Sequence, residues 1–596
     1  MKKRVADIVV ETLLELGISE TFCVVGGGAM HLNNAFEINK DMHVTFCHHE
    51  QSCAFAAEGY AKYSGKIACV SVTAGPGSVN ALNGVYGAWV DSTPMFVISG
   101  YPRYETATPI TGLNLRCRGV QEFDIVNTVK TMTKYSKLVI DPKEIKAEIL
   151  KAYNIAMTGR RGPVWLAIPL DVQAALLEDS ELITYSENGV NQPTGNAETI
   201  KQIISKLKSA KRPCILTGTG IRYGNAYSDF LDFLKIVQIP VIGSSLFPDA
   251  LPMNFPLYYG NAGSSGPRLG NYIIQNSDLI LVLANSLSTK QTGFNVELFA
   301  PDAEFIMIDV EKDEPKKPGL HIDIPVEMDI KDFFTQYIKQ DNNLIKADSR
   351  WIQYCDNLKD LLKNVDLPEF NPNEKVSSKQ FGRTFVDMMP ENGIIALGNS
   401  SCIGGVLTYG VRNHEQRVIV NYNAGSMGDD LPEAIGIAKA TDNPVYCITG
   451  DGSIMMNLQE LQTIKYSNLP IKVVVFNNNG YGAIRNTCKN FFNNVYTGCD
   501  FDSGISFPSF EKVADTFDFK YLHCSNGSEI EKCLKEFFES SDQVLLEVEQ
   551  RFTDPPSPRL MSKMGPDGKF TTPSLIDMSP ALPDDIQTKI KEYKYW

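Results

Sequence analysis

The 596-residue sequence predicts an α/β protein with three doubly wound parallel-sheet domains and a C-terminal tail. Short runs of β-branched and aliphatic residues alternate with amphipathic stretches, as in "IACVSVTAGPGSVNALNGVYGAW" and "RPCILTGTGIRYGNAYSDFLDFL". Such alternation is typical of parallel sheets that are covered by helices on both faces. The chain length fits about three or four domains, which agrees with this fold class.

Polar stretches divide the chain into three blocks and a tail. Residues 1–185 end near "GPVWLAIPLDVQ", residues 190–345 end in the charged stretch "IKQDNNLIKADSRW", and residues 370–550 form the third block. Residues 551–596 are rich in proline and show no clear periodicity. The tail is either disordered or an extended segment that covers a site, and the sequence leaves both readings open.

Composition excludes several classes of function. The formal net charge of -14 argues against a nucleic-acid partner. The N-terminal segment "MKKRVADIVVETLLELG" is interrupted by Asp7 and Glu11, and no run of 18 apolar residues occurs, so we expect neither a signal peptide nor a membrane span. The 13 Cys show no CxxC spacing and are expected to be reduced thiols of a cytoplasmic protein.

Two predicted strands in the third block end abruptly in polar residues. "VYCIT" is followed by "GDGS", and "IKVVVF" is followed by "NNNGYG", with "NLQELQTIKYSN" as a helix between them. Ligands of open parallel sheets bind beyond the carboxyl ends of the strands. Asp451 and Asn478, 27 positions apart, are therefore expected at the same edge, on neighbouring strands.

The side chains at these strand ends suit a magnesium ion and a phosphate group. Carboxylate and amide oxygens are hard ligands, and Mg²⁺ usually binds one or two carboxylates together with substrate phosphates. Gly450 and Gly452 allow backbone N–H groups to approach a phosphate where the helix begins. The alternative is an ordinary strand–turn–helix, since GDG alone is a common turn.

The sequence resembles the thiamine diphosphate-dependent enzymes, whose cofactor motif is GDG followed by NN at this separation. The resemblance implies that Asp451, Asn478 and the backbone carbonyl of Gly480 bind Mg²⁺. It also implies that the thiamine diphosphate contacts Gly75, Gly450, Gly452, Ser453 and Tyr481.

The N-terminal block resembles the pyrimidine-binding domain of the acetolactate synthase branch. The similarity lies in "HHEQSCAFAAEGYAKYSGKIACVSVTAGPGSVNALNGVYGAWVDSTPMFVISG". Taken alone, Glu50 would be a helix cap or a solvated carboxylate. The resemblance implies instead that Glu50 is catalytic and binds the aminopyrimidine ring of the cofactor, which then acts as an internal base.

A third motif, "NAGSMGDDLPEAIGIA", resembles "MGFGLPAAIGA" of that branch. The resemblance implies that Met427 supports the bent conformation of the cofactor. Asp429, Asp430 and Glu433 replace the usual aromatic residue, Gly and Ala. These acids either bind a polyhydroxylated substrate or form a solvated helix N-terminus, where acids suit the helix dipole.

Substrate contacts are expected near the N-terminal glycines. His31 in "VVGGGAMHLNNAF" is a candidate catalytic residue, although a lone His is often structural. Gln121 in "GVQEFDIV" matches the Gln of the branch's "FQE" element and would orient the substrate, while Val120 replaces the usual Phe. The middle block resembles the FAD-binding domain of acetolactate synthases and pyruvate oxidases. Because "ANSLSTKQ" replaces its "GARFDDR" element, FAD is an open expectation.

The resemblance implies a carboligase (a transferase or lyase) that decarboxylates a 2-oxo acid, with pyruvate expected, and joins the acyl unit to a carbonyl acceptor. The acceptor-side motifs look like a subgroup of surface-sugar biosynthesis, so we expect a keto-deoxysugar. The alternatives are C–C bond hydrolysis of a cyclic diketone, as in inositol catabolism, simple 2-oxo acid decarboxylation, acetolactate synthase proper, and a non-catalytic cofactor-binding subunit. In this family the active site is shared between subunits, which implies a homodimer or homotetramer.

Overall fold

The computed structural model describes residues 2–185, 195–340, 344–367, 370–552, 557–564, 568 and 570–593. Within these residues the chain forms three six-stranded parallel sheets, as the sequence predicts. The first sheet lies within residues 1–185, the central sheet within 190–345 and the third within 370–550. No helix in the described part of the chain is both long and apolar enough to cross a membrane.

The first and third sheets have the same strand order, 2-1-3-4-6-5 when the strands of each sheet are numbered along the chain. In spatial order the first sheet contains His43–Phe46, Glu20–Cys23, Cys69–Val72, Met95–Tyr101, Pro163–Pro169 and Tyr135–Leu138. In spatial order the third sheet contains Arg417–Val420, Ile394–Leu397, Val445–Gly450, Ile471–Asn477, Val544–Glu549 and Lys520–Cys524.

The central sheet has the order 3-2-1-4-5-6, a doubly wound arrangement with its ligand crevice at the carboxyl ends of the strands. Its strands are Tyr258–Ala262, Val241–Ser244, Pro213–Thr217, Leu279–Leu283, Glu304–Asp309 and Ile324–Glu327. Three short strand pairs lie outside the large sheets: Lys3–Arg4 with Leu176–Leu177, Val237–Gln238 with Ile345–Lys346, and Lys563–Met564 with Phe570–Thr571.

Helices cover the sheets. Those of the first block are Val5–Glu15, Met30–Ile38, Glu50–Ser64, Pro76–Asn80, Leu82–Val90, Ile125–Thr128, Ile145–Met157 and Leu170–Ala174. The central sheet is accompanied by Ala197–Ser209, Gly220–Tyr223, Tyr227–Ile236, Leu269–Asn276, Thr289–Thr292, Ile330–Ile338 and Ser349–Leu362. The remainder are Ser378–Met388, Ser401–Val406, Asp430–Ala440, Asp451–Ile454, Glu460–Tyr466, Gly482–Phe491, Phe510–Thr516, Ile530–Glu539 and Asp584–Glu592.

Two helices pack tightly where the first and third domains meet: Glu50–Ser64, here the Glu50 helix, and Asp430–Ala440, here the Asp430 helix. A Cβ atom at Gly436 would lie 1.8 Å from the carbonyl oxygen of Ala56. A Cβ atom at Gly59 would lie 2.4 Å from the carbonyl oxygen of Glu433. Glycine is therefore required at both positions for the helices to approach this closely.

A buried lysine joins the same two domains. The Nζ atom of Lys62 lies 2.7 Å from Glu58, 3.0 Å from Asp91 and 3.0 Å from Glu433, and it donates to the carbonyl of Val420. Burial disfavours the charge, but the three carboxylates outweigh burial and hold the pKa of Lys62 well above its usual value. This group of four side chains is called the Lys62 cluster below.

The three acids of the "GDDLPEA" segment are all fully buried, at 0% exposure. Glu433 pairs with Lys62, and Asp430 accepts hydrogen bonds from Thr449 and Ser453. Both carboxylate oxygens of Asp429 lack a partner among the described residues, and burial raises its pKa well above the usual value. The prediction of a solvated helix terminus is wrong. Direct binding of a substrate does not fit either, because none of the three carboxylates reaches a solvent-accessible surface.

The described part of the tail packs on the central domain. Leu560, Leu575, Met578 and Leu582 are buried in one apolar cluster with Trp351 of that domain. These residues are therefore packed rather than disordered, and the role of the tail as a cover over a site stays a prediction.

Replacing Lys62 with Met is expected to destabilise the protein by about 3–5 kcal/mol, because three buried carboxylates would lose their common cation. Urea unfolding, followed by circular dichroism, measures the effect. Lys66→Met is the matched control, because Lys66 lies just beyond the end of the same helix and is exposed. Equal midpoints for the two variants would contradict the structural role of Lys62.

The stability of the protein without cofactor is expected to fall as the pH rises above about 5. Burial raises the pKa of Glu58 above its usual value, against the attraction of Lys62, and Glu433 and Asp91 add to the rise. The native state therefore binds more protons than the unfolded state in this pH range, so raising the pH favours unfolding. Urea midpoints measured across this range should fall less steeply for Glu58→Gln than for the wild type. Identical slopes would refute this assignment.

Candidate active site

The carboxyl edge of the third sheet brings Asp451 and Asn478 together. The strands that precede them, Val445–Gly450 and Ile471–Asn477, are direct neighbours, as the sequence predicts. One carboxylate oxygen of Asp451 accepts a hydrogen bond from the backbone N–H of Gly452 at 2.8 Å. The other accepts from the N–H groups of Asn478 and Gly480, at 3.1 and 2.9 Å.

This edge fits a divalent cation that binds oxygen. Burial raises the pKa of Asp451 to about 6, although three backbone N–H groups and Arg485 act in the opposite direction. A cation beside such a carboxylate would favour its charged form. No group of three or more His, Cys, Asp or Glu side chains that could hold a metal occurs among the described residues. A cation at Asp451 would therefore depend on amide, backbone and phosphate oxygens, as Mg²⁺ commonly does.

Glycines let the backbone come close at this edge. A Cβ atom at Gly452 would lie 2.2 Å from Cε1 of Tyr481, and one at Gly480 would lie 2.1 Å from the carbonyl oxygen of Cys499. The ring of Tyr481 thus packs directly on the helix that begins at Asp451. Gly450 and Tyr481 are both half-buried at the same edge.

Met427 precedes the Asp430 helix in a loop that is tied to the Asp451 helix. The N–H of Gly428 donates to the hydroxyl of Ser453 at 2.8 Å, and Asn457 donates to the carbonyl of Gly428 at 2.6 Å. Met427 is half-buried. The structure therefore gathers all of the predicted third-domain site residues around one strand edge.

A second group of predicted residues lies at the carboxyl edge of the first sheet. Glu50 is the first residue of its helix and is buried, with one carboxylate oxygen 3.0 Å from the amide nitrogen of Asn80. Gly75 has a φ of +61°, and a Cβ atom there would lie 2.5 Å from the carbonyl oxygen of Gln121. The side chain of Gln121 is exposed and has no hydrogen-bond partner among the described residues.

His31 lies in the first turn of the helix Met30–Ile38, which follows the glycine-rich loop. The N–H of Gly28 in that loop donates to the hydroxyl of Thr73, two residues before Gly75. His31 is half-buried, and its ring has no hydrogen-bond partner in the described part of the chain. The loop therefore brings His31 to the same sheet edge as Glu50, with a free imidazole.

Within one chain, hydrogen bonds of neighbouring residues join the two groups. The hydroxyl of Ser52, on the Glu50 helix, donates to the amide oxygen of Asn457 at 3.0 Å, and the hydroxyl of Ser426, next to Met427, donates to the amide oxygen of Asn83 at 3.1 Å. No hydrogen bond or ion pair between described residues joins Glu50 itself to Asp451 or Asn478.

One buried residue at the site was not predicted. Arg485 is 2% exposed and donates from both terminal nitrogens to the carbonyl of Asn478, and from one of them to its amide oxygen. Its guanidinium lies 3.8 Å from the centre of the Phe552 ring, and burial lowers its pKa. In the sequence, the feature that could have indicated this role is that Arg485 is the one charged residue in the stretch "NNNGYGAIRNT".

Comparison with known proteins identifies the family of this chain. Models of the thiamine pyrophosphate enzymes match in three parts: the N-terminal TPP binding domain at residues 3–127, the central domain at 200–337 and the C-terminal TPP binding domain at 399–548. Together they match more than half of the chain.

Curated relatives match over almost the whole length. A "Probable acetolactate synthase large subunit" of Methanococcus aeolicus is 29% identical over 97% of this chain and 96% of its own. The acetolactate synthase isozyme 2 large subunit of Escherichia coli K12 is 28% identical over 91% of this chain and 95% of its own. The acetolactate synthase large subunit of Lactococcus lactis is 28% identical over 91% of this chain and 92% of its own length. The chain therefore belongs to the thiamine pyrophosphate enzymes, and it is an acetolactate synthase-like carboligase of that family.

Proposed function

We propose that this enzyme decarboxylates pyruvate with thiamine diphosphate and Mg²⁺ and transfers the acyl unit to a keto-deoxysugar. The observation that carries the cofactor part is the Asp451 carboxylate, fixed by three backbone N–H groups beside Asn478. The names of the relatives support the donor and the reaction class. The acceptor rests on the departures of this sequence at Val120 and in the tail.

The third-domain edge would hold the cofactor. Asp451, the amide of Asn478 and the carbonyl of Gly480 would bind Mg²⁺, which in turn would bind the diphosphate. Arg485 would fix the orientation of Asn478 and balance the negative charge nearby. Bound thiamine diphosphate supplies a nucleophilic carbon that adds to the 2-oxo acid and allows CO₂ to leave. The remaining contacts would come from Gly75, Met427, Gly450, Gly452, Ser453 and Tyr481.

The first-domain edge would supply the acid and the substrate contacts. Asn80 holds the Glu50 carboxylate in one orientation, so that it can bind the pyrimidine ring and move a proton there. His31 and Gln121 have no intramolecular hydrogen-bond partner among the described residues, and both would contact the substrate. Their free polar groups suit an acceptor that is itself polar.

The central domain fits FAD poorly in this conformation. The cavity at the carboxyl ends of its strands has a volume of only about 140 Å³. Arg160 and Glu314, which line this cavity, form an ion pair within it. The proposed reaction therefore makes no use of a flavin.

We further propose a homodimer, or a homotetramer built from it, with active sites shared between subunits. Exposed apolar side chains occur at both site edges: Val25, Met30 and Val120 beside the first group, and Met455, Met456, Phe491 and Phe492 beside the second. Such surfaces commonly mark protein interfaces. We also place the enzyme in the cytoplasm, because all 13 cysteines are free thiols.

Co-expression of two inactive variants tests the shared site. Glu50→Gln is expected to lower turnover by about 10²–10⁴-fold, and Asp451→Ala is expected to abolish Mg²⁺-dependent cofactor binding. If each site combines Glu50 of one subunit with Asp451 of the other, random mixing leaves about a quarter of the sites intact. CO₂ release near that level supports the proposal, and release no higher than that of either variant alone would show that each site lies within one chain.

The reaction is tested with purified protein, thiamine diphosphate, Mg²⁺ and pyruvate, with products followed by mass spectrometry. A keto-deoxysugar, supplied as its nucleotide conjugate, is expected to gain a two-carbon acyl unit. Acetolactate as the sole product would indicate acetolactate synthase proper. Acetaldehyde as the sole product would indicate a simple decarboxylase. No CO₂ release from any 2-oxo acid would contradict the proposal and favour the C–C hydrolase. Asp451→Ala is the negative control, because this variant is expected to lose cofactor binding and therefore to form no product.

A further inference from the structure

A cavity of about 260 Å³ lies where the third domain, the central domain and the tail meet; it is called the junction cavity below. Asn478, the proposed magnesium ligand, forms part of its wall, so the cavity adjoins the cofactor site. The central domain contributes Asn261 and Ser265, and the tail contributes Ser557 and Arg559. This position makes it a candidate for the second substrate.

The residues that line the junction cavity are mainly polar, and the charged ones are positive. The described lining residues include eight with a hydroxyl group and four with a side-chain amide, and the charged ones are Arg551 and Arg559. No carboxylate occurs among them. Arg551 forms an ion pair of 3.0 Å with Glu374, whereas the side chain of Arg559 has no partner in the described part of the chain. In a protein of net charge -14, the described lining residues thus present a positive charge that has no partner among the described residues.

The backbone of Arg559 is held on both sides. Arg559 and Ser579 exchange two backbone hydrogen bonds, at 3.0 and 2.8 Å. The carbonyl of Pro558 accepts from Gly266 at 2.9 Å, and the N–H of Leu560 donates to Ser264 at 2.8 Å. The guanidinium therefore projects from a fixed segment, which lowers the entropic cost of binding an anion.

Building on the carboligase function proposed above, we propose that the junction cavity binds the acceptor as a phosphorylated sugar, with its phosphate group on Arg559. A guanidinium presents paired N–H donors that match a phosphate group. Hydroxyl and amide side chains match the hydroxyl groups of a sugar, both as donors and as acceptors. The cofactor also carries phosphate groups, so the test must separate the two anions.

Isothermal titration of the holoenzyme with glucose 1-phosphate and with glucose provides that test. The enzyme is loaded with thiamine diphosphate and Mg²⁺, which fills the cofactor site. Glucose 1-phosphate is expected to bind at least about tenfold more tightly than glucose, because only it reaches the guanidinium. Arg559→Ala should weaken its binding by about 10- to 100-fold. Arg350→Ala, which removes an exposed arginine of the central domain, should leave it unchanged.

Binding requires no turnover, so the result does not depend on whether pyruvate is the donor. Equal affinity for the two sugars would overturn the proposal, as would unchanged affinity in Arg559→Ala. If Arg559→Ala weakens the binding of thiamine diphosphate instead, Arg559 serves the cofactor and the proposal also fails. Arg559→Lys keeps the charge without the paired donors and should show an intermediate affinity, which separates loss of the phosphate contact from a folding defect.

Discussion

The architecture depends on one buried ammonium group. Lys62 binds carboxylates from three places: Glu58 on its own helix, Asp91 at the end of the helix Leu82–Val90, and Glu433 on the Asp430 helix. Without this cation, several buried negative charges would face one another in a medium that screens them poorly. The Glu50 helix begins with the proposed acid, and the Asp430 helix begins directly after the Met427 loop. The Lys62 cluster therefore fixes both candidate edges relative to each other.

Two sheets of identical strand order present different chemistry at equivalent edges. The edge of the first sheet carries the buried carboxylate of Glu50, whereas the edge of the third carries Asp451, Asn478 and closely packed glycines. A cofactor with an aromatic ring at one end and a diphosphate at the other needs both environments. The shared active site proposed above would supply both environments through two copies of the chain.

The sequence predicted best those features that depend on neighbouring residues along the chain. The positions of Asp451 and Asn478 follow from the ends of two buried strands, and neighbouring parallel strands must end at one edge. The intervening helix begins at Glu460, three residues later than its apolar pattern indicates. The acids of the "GDDLPEA" segment were misread because Lys62, the partner of Glu433, lies 371 positions away. Arg485 was missed for a different reason: its partner Asn478 is only seven positions away, but the contact forms only when the helix Gly482–Phe491 folds back onto that residue.

The central domain has a clear structural use even without a flavin. It buries the apolar residues of the tail, and its segment around Ser264 and Gly266 pairs with the tail around Arg559. The wall of the junction cavity opposite Asn478 is thus built from parts of the chain that contribute nothing to the cofactor motifs. Under the assignments proposed above, changes in those parts would alter the contacts to the second substrate without disturbing Asp451 or Asn478. The tail is therefore the part of this chain in which the choice of acceptor should be sought.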